Sequence, residues 1–351
     1  MRRLRFASSL AAFAIGVLPQ LRGAEPAKPA PSQAEALGRE VREVMHKTGD
    51  AICRIEADDE HGHLRGTGFF IDADGTLLTS YSVGGASQDI VVTVGEQRYP
   101  ATRLVTEGRS GIALLKITAG RPMRFLKFGK SSKLAIGDLV ITVGYPLDLP
   151  LSLSYGPVAG MDLGFDGRFF AARHIRANLP VQRGEGGSPV LNRLGETVGV
   201  LISTVEENSG IFALPIEAAE KVLHDFRTYR RVRQGWVGVD VRPAEKPEHG
   251  SSARILTLRE DGPAYVGGVR AGDILLQVGA WKITNPEDVL NASFFVTATE
   301  PIPMRVSRAG REIKLTVTPL DPPDGTMPSI ERQQPAILGS SRDGSGLNLG
   351  Q

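Results

Sequence analysis

Gly66-Thr67-Gly68-Phe69-Phe70-Ile71-Asp72, followed at once by Asp74-Gly75-Thr76-Leu77-Leu78-Thr79, sets two apolar runs on either side of an Asp/Gly turn. The same alternation begins at Ala51 and continues along the chain. Ile90-Val91-Val92-Thr93-Val94, Leu139-Val140-Ile141-Thr142-Val143 and Val198-Gly199-Val200-Leu201-Ile202 are short β-branched runs bounded by Gly, Asp and Pro. Such runs suit a pleated, half-buried surface, so they read as strands. The 41 glycines agree with many tight turns. The fold class that follows is all-β.

Helices punctuate this pattern. Ser32-Gln33-Ala34-Glu35 has the spacing of a capping box, and Leu37, Val41, Val44 and Met45 follow at helical period to about Lys47. Pro215-Ile216-Glu217 opens a second helix to about Arg230. A second β-rich unit begins at Gly235. Within it Asn285-Pro286-Glu287-Asp288 is a helix start: Asn as cap, Pro in the first turn, acids beside it. Arg308-Ala309-Gly310-Arg311 reads as the turn of a last hairpin.

The chain has 351 residues, enough for two domains, and is 41% hydrophobic and 23% charged, which marks it as globular. Arg2, Arg3 and Arg5 precede an apolar stretch from Phe6 to Leu18, too short for an ordinary spanning helix. Residues 1–24 are therefore expected to be a signal peptide. The net charge of +2 owes its sign to arginines inside that leader, so nothing asks for a nucleic acid or an anionic lipid as partner. The single cysteine, Cys53, sits in Ala51-Ile52-Cys53-Arg54-Ile55 and reads as core packing. His61-Gly62-His63 follows Asp58-Asp59-Glu60 and reads as a solvated hairpin loop, with no ligand cluster to make it a metal site. No cofactor is expected.

Several motifs occur in order across roughly residues 34–230. Gly66-Thr67-Gly68-Phe69 comes first. Ile136-Gly137-Asp138-Leu139-Val140 and Gly144-Tyr145-Pro146 follow. Ile175-Arg176-Ala177-Asn178 precedes the loop Gly184-Glu185-Gly186-Gly187-Ser188-Pro189. Gly195-Glu196-Thr197-Val198-Gly199-Val200 and Phe212-Ala213-Leu214-Pro215 close the series. Together they resemble HtrA/Deg-type, trypsin-like serine proteases. The resemblance implies two six-stranded β-barrels with an active site between them. It also implies a catalytic His, Asp and Ser at three places, which here hold Ser82, Gly111 and Gly186.

Peptide hydrolysis needs what these residues lack. A serine hydroxyl is a weak nucleophile until a base takes its proton, and imidazole serves because its pKa lies near neutrality. A carboxylate then holds the imidazole's tautomer. Ser82 accepts no proton at pH 7, Gly111 has no side chain, and Gly186 has no oxygen. Losing such a triad costs roughly a million-fold in kcat, or about 8 kcal/mol of barrier. Glu185 adds a carboxylate where the family keeps a neutral Asn, and a charge near a developing oxyanion raises its energy. Ser188, two residues further on, is the one alternative nucleophile.

Residues 235–319 resemble a PDZ domain of the HtrA type. Gly235-Trp236-Val237-Gly238-Val239 matches the family's carboxylate-binding loop and following strand. Gly268-Val269-Arg270-Ala271-Gly272-Asp273-Ile274-Leu275 matches its Gly-Asp turn. The resemblance implies that a peptide adds as a strand beside Val239, with Trp236, Val237, Gly238, Val239, Leu290 and Phe294 forming the peptide-binding site. Gly238 lets backbone approach closely, and Trp236 narrows the entrance.

The expected organisation is a signal peptide at 1–24, a linker and N-terminal helix at 25–50, and a trypsin-like domain at 51–231. A PDZ domain at 235–319 and a disordered tail at 320–351 complete it. The expected function is that of a secreted pseudoprotease in protein quality control, holding unfolded or C-terminal peptide segments as chaperone, adaptor or regulatory scaffold. The alternative is an active serine endopeptidase with Ser188 as nucleophile. The resemblance to a bacterial family implies the periplasm or cell envelope. It also implies homo-oligomers, or assembly with an active homologue.

Overall fold

A computed structural model describes residues 32–60, 62–165, 168–205 and 210–323. The expected leader, the linker at 25–31 and the tail from 324 onward lie outside the described residues, as does His61.

The N-terminal helix forms as its cap predicts. α1 (Gln33–Thr48) starts where Ser32 Oγ accepts from the Glu35 N–H at 3.3 Å and the Glu35 carboxylate accepts from the Ser32 N–H at 2.8 Å. Val41 and Val44 are its buried apolar positions.

The first β unit comprises β1 (Ile52–Asp59), β2 (Gly62–Phe70), β3 (Thr76–Ser80), the one-turn α2 (Tyr81–Gly84), β4 (Gln88–Val94), β5 (Gln97–Pro100), β6 (Thr102–Glu107) and β7 (Ile112–Lys116). Its strands run in the order β5-β4-β1-β2-β3-β7-β6. The deciding stretch is the β2–β3 hairpin, with Gly68 opposite Thr79 and Phe70 opposite Leu77. Asp72 closes the turn by accepting from the Asp74 and Thr76 N–H groups. Cys53, Ile55, Phe70, Leu77 and Leu115 form its core. Burial in that core pushes the Cys53 thiol far above its ordinary range, so the inert packing role holds.

The second unit is β8 (Leu139–Gly144), β9 (Ser152–Phe165), β10 (Arg168–Ala177), β11 (Pro189–Leu191), β12 (Thr197–Thr204) and β13 (Ile211–Pro215). These close into a barrel, β10-β13-β12-β11-β8-β9, around Val140, Ile175, Val190 and Leu201. α3 (Ile216–Tyr229) follows directly from β13. The second unit closes into a six-stranded barrel as expected. The first has seven strands rather than six, and its two edge strands, β5 and β6, are joined through Ala101 alone.

The third unit is β14 (Val239–Glu248), β15 (Ser251–Leu258), the one-turn α4 (Pro263–Val266), β16 (Ile274–Val278), β17 (Trp281–Lys282), α5 (Pro286–Phe294), β18 (Ile302–Arg308) and β19 (Arg311–Val317). Its sheet runs β14-β15-β16-β18-β19, with β17 beside β16. Asn285 caps α5 by accepting from the Asp288 N–H at 3.0 Å, as its sequence predicts. The first residues of the expected tail, 320–323, are described and held in place. Leu320 exchanges two backbone hydrogen bonds with Trp236, and the Asp321 carboxylate meets Arg233 at 2.5 Å. A strand-like bridge and an ion pair were invisible in a Pro/Gly/Asp-rich composition.

Candidate functional site

The residues at the three expected catalytic positions gather where the first unit meets the second. β3 ends at Ser80, and α2 turns the chain so that the Tyr81 N–H donates to the Gly111 carbonyl at 2.6 Å. Thr67 on β2 anchors the facing loop. Its N–H donates to the Gly186 carbonyl at 2.9 Å, and its hydroxyl donates to the Gly184 carbonyl at 2.9 Å. The same Thr67 hydroxyl accepts from the Tyr145 N–H at 3.0 Å. Leu201 fixes the loop's far end through bonds with Gly187 and Ser188. A Cβ on Gly186 would lie 3.3 Å from Ser80 Oγ and 3.9 Å from Ser82 Oγ. The two hydroxyls of Ser80 and Ser82 are hydrogen-bonded to each other at 2.9 Å.

Positions 82 and 186 therefore face each other, and position 111 touches α2 through its carbonyl. The direction at 111 is different. Gly111 has φ +77, and a Cβ there would stand 2.7 Å from Ile202 Cγ2. Ile202 thus takes the space into which a side chain at 111 would point. Sequence reasoning missed both Ile202 and Ser80. Ile202 carries no signal, being one more apolar residue in β12.

What these groups can do is limited. Two hydroxyls and two glycines contain no base with a pKa near neutrality. His174, the nearest histidine in sequence to the loop, is buried in β10. It bonds the Ala172 carbonyl through Nδ1 at 2.7 Å and stacks on Phe170 at 4.1 Å. Burial lowers its pKa to about 4, so it is neutral and committed to packing.

Ser188 is fully buried, at 0% exposure, and its side chain packs against Gly144 of β8. Among the described residues its hydroxyl finds no hydrogen-bond partner. A nucleophile must reach a peptide carbonyl, and this one is sealed in the barrel wall. Glu185 also departs from expectation. Its carboxylate turns inward and accepts from the Gln182 N–H at 2.6 Å. The tight turn leaves that N–H without a backbone partner, and the side chain takes the role. Burial raises the Glu185 pKa, partly offset by the Gln182 bond.

In the third unit, Trp236-Val237-Gly238-Val239 forms a loop held on three sides. Trp236 pairs with Leu320, the Val237 carbonyl accepts from Ala264, and the Gly238 carbonyl accepts from Arg259. Gly238 has φ +76, and a Cβ on it would meet the Trp236 ring at 2.9 Å. Val239 then enters β14, which lies at the end of its sheet with one edge unpaired. Leu290 on α5 is 40% exposed and available to a ligand.

Phe294 does not belong with them. It is only 3% exposed, and its ring faces Arg109 at 5.8 Å and Lys221 at 5.9 Å. The cause is the docking of α5. Asp288 pairs with Arg173 of β10 at 2.8 Å, and Asn291 Oδ1 accepts from the Arg173 N–H at 2.7 Å. Val289 and Ala292 face the unit's own core. Phe294 follows Asn291 by three residues, so it shares the helix face turned toward the barrel.

A family model described as a trypsin-like peptidase domain matches residues 66–200. A probable periplasmic serine endoprotease DegP-like of Pseudomonas fluorescens is 29% identical over 81% of this chain and 61% of its own length. A protein of the same description from Bartonella henselae is 30% identical over 72% of this chain and 52% of its own length. The chain thus spans less than two thirds of the length of these relatives. Among solved structures, the HtrA-type protease AlgW with tripeptide superposes with a TM-score of 0.65 at 21% identity, covering 81% of this chain and 99% of that one. The serine endoprotease from Yersinia pestis gives 0.58 at 20% identity, covering 84% and 100%. The fold is mostly β with a trypsin-like barrel domain, shared with HtrA structures, and the likenesses support a relation to HtrA/DegP-type trypsin-like serine proteases.

Proposed function

We propose that this protein is an HtrA-like serine protease homologue that does not hydrolyse peptide bonds. It binds polypeptide instead, taking unfolded or C-terminal segments through the loop at 236–239 and the open edge of β14. One observation carries the reading. Positions 82 and 186 face each other and 111 meets α2 through its carbonyl, yet they hold a hydroxyl and two glycines. A preserved frame with no base and no nucleophile suits holding a chain better than cutting it.

The relatives are named periplasmic, and the N-terminal sequence reads as a leader, so the proposed location is the periplasm or cell envelope. Homo-oligomers, or assembly with an active homologue, are the proposed partnerships beyond the bound peptide. The organisation proposed is a trypsin-like domain at 51–231 and a PDZ domain at 235–319. The competing reading, an endopeptidase using Ser188, is weakened by the burial of that hydroxyl.

Incubation of the full chain with unfolded casein tests the proposal. Casein is expected to be retained on the immobilised protein and to stay intact. Fragments that depend on this protein, or no retention at all, would contradict it.

A further inference from the structure

The chain between β7 and β8 carries a pattern that the functions above do not use. A cation recurs at every third position, from Arg121 through Arg124, Lys127 and Lys130 to Lys133. No Asp or Glu occurs between Glu107 and Asp138. The structure repeats the period. Met123, Leu126 and Gly129 are buried, while all five cations are exposed. The N–H groups of the same three buried residues donate to the carbonyls of Ala73, Phe70 and Thr197, at 2.9, 3.0 and 2.8 Å. A chain with three residues per turn puts every third side chain on one edge. One edge of this connector is thus seated on the body, and another is a row of cations. At the rise of such an extended chain, ~3.1 Å per residue, neighbours in the row stand about 9 Å apart.

The acids around the row leave most of it free. Lys130 pairs with Glu220 of α3 at 3.1 Å. Glu217 accepts from the Ser131 and Ser132 N–H groups, Glu196 from the Asn192 amide, and Asp72 from the N–H groups of its own turn. Among the described residues, Arg121, Arg124, Lys127 and Lys133 have no ion pair. Phe125 is 48% exposed, so an apolar ring stands among these cations. A solvated surface ordinarily mixes both signs of charge. This one has a single sign, a fixed backbone and an exposed ring.

We infer that this row docks the protein on an anionic phospholipid surface, with the cations against headgroup phosphates and Phe125 entering the interface. Basic residues around an aromatic ring suit that boundary, where charge attraction and apolar burial add. The row is too long for one small anion, and the ring favours a bilayer over a soluble polyanion. The expectation of no anionic lipid partner came from the net charge of the whole chain, which averages the row away. The inference does not depend on peptide binding.

Co-sedimentation of the full chain with vesicles tests it, using phosphatidylcholine alone and phosphatidylcholine with phosphatidylglycerol. Binding to the anionic vesicles is expected to be about tenfold tighter or more, and to weaken with added salt. Arg121→Gln, Arg124→Gln and Lys127→Gln together should remove about tenfold. Phe125→Ser should remove about threefold. Arg227→Gln, Arg231→Gln and Arg311→Gln together take the same charge from exposed arginines elsewhere, and should leave binding unchanged. Every variant keeps the same N-terminal sequence, so any affinity of that segment for membrane cancels. Thermal denaturation of each variant confirms folding. No loss in the first triple variant, or an equal loss in both, overturns the inference. Binding to soluble polyglutamate without binding to vesicles also overturns it, and would make the partner an acidic polypeptide.

Discussion

Gly111 and Ile202 stand so close that a side chain at one excludes the other: a Cβ at 111 would lie 2.7 Å from Ile202 Cγ2. The backbone at 111 is also left-handed, at φ +77. On the proposed reading, Ile202 fills the space that a carboxylate at position 111 would need.

Rebuilding the triad should therefore fail at its third member. Ser82→His with Gly186→Ser is expected to fold with little loss, since a Cβ at 186 is tight only against the Ser80 hydroxyl, at 3.3 Å, and a hydroxyl can turn aside. Adding Gly111→Asp should cost about 2–4 kcal/mol from backbone strain and overpacking. Urea denaturation of the double and triple variants measures the difference. Casein hydrolysis by the triple variant would show that the carboxylate site is open after all.

The lock between α3 and the third unit gives a second prediction. Asp225 is 0% exposed and accepts from Lys221 Nζ at 2.5 Å, the Arg233 N–H at 2.8 Å and Thr297 Oγ1 at 3.0 Å. Burial already lowers the Lys221 pKa, against the pull of Asp225. Asp225→Ala leaves that ammonium buried without its counter-charge, though still bonded to the Arg233 carbonyl, and should cost about 3–5 kcal/mol. Denaturant titration reads the cost, and a loss below 1 kcal/mol would mean that water serves the site equally well.

Much of this was legible in the sequence, and the failures share a cause. Strand runs, both capped helices and the β2–β3 hairpin follow from local periodicity and turn chemistry. So does the meeting of positions 82 and 186, because motif order carries the frame. Phe294, Glu185 and Leu320 were misread for a tertiary reason. The first faces the barrel because α5 docks on Arg173, the second turns inward to cap Gln182, and the third pairs with Trp236. None of these partners is near enough in pattern to be read from one segment alone.

Acid sensitivity follows from His174. Its folded-state pKa, about 4, lies below its ordinary value of 6.5 because burial disfavours the charged ring. The unfolded chain binds the proton first, so stability is full above about pH 6.5 and falls as pH drops toward 4, by about 3 kcal/mol. His174→Gln should flatten that slope. Thermal melts between pH 7 and pH 4 compare the two, and parallel curves would remove His174 as the source.

Gly238 should tolerate no side chain. Gly238→Ala meets the Trp236 ring at 2.9 Å and must hold φ near +76. A stability loss of about 1–3 kcal/mol is expected, together with weakened peptide binding. Binding to an array of randomised decapeptides and a melting curve report the two effects separately. Unchanged binding in a folded variant would place the ligand elsewhere.

The most direct measurement is fluorophosphonate labelling of the purified full chain, with Ser188→Ala in parallel and an active serine protease as positive control. No label on either form is the predicted result, because the proposal gives the cleft no activated hydroxyl. Label on the wild type that vanishes in Ser188→Ala would show a nucleophile at work and contradict the loss of catalysis.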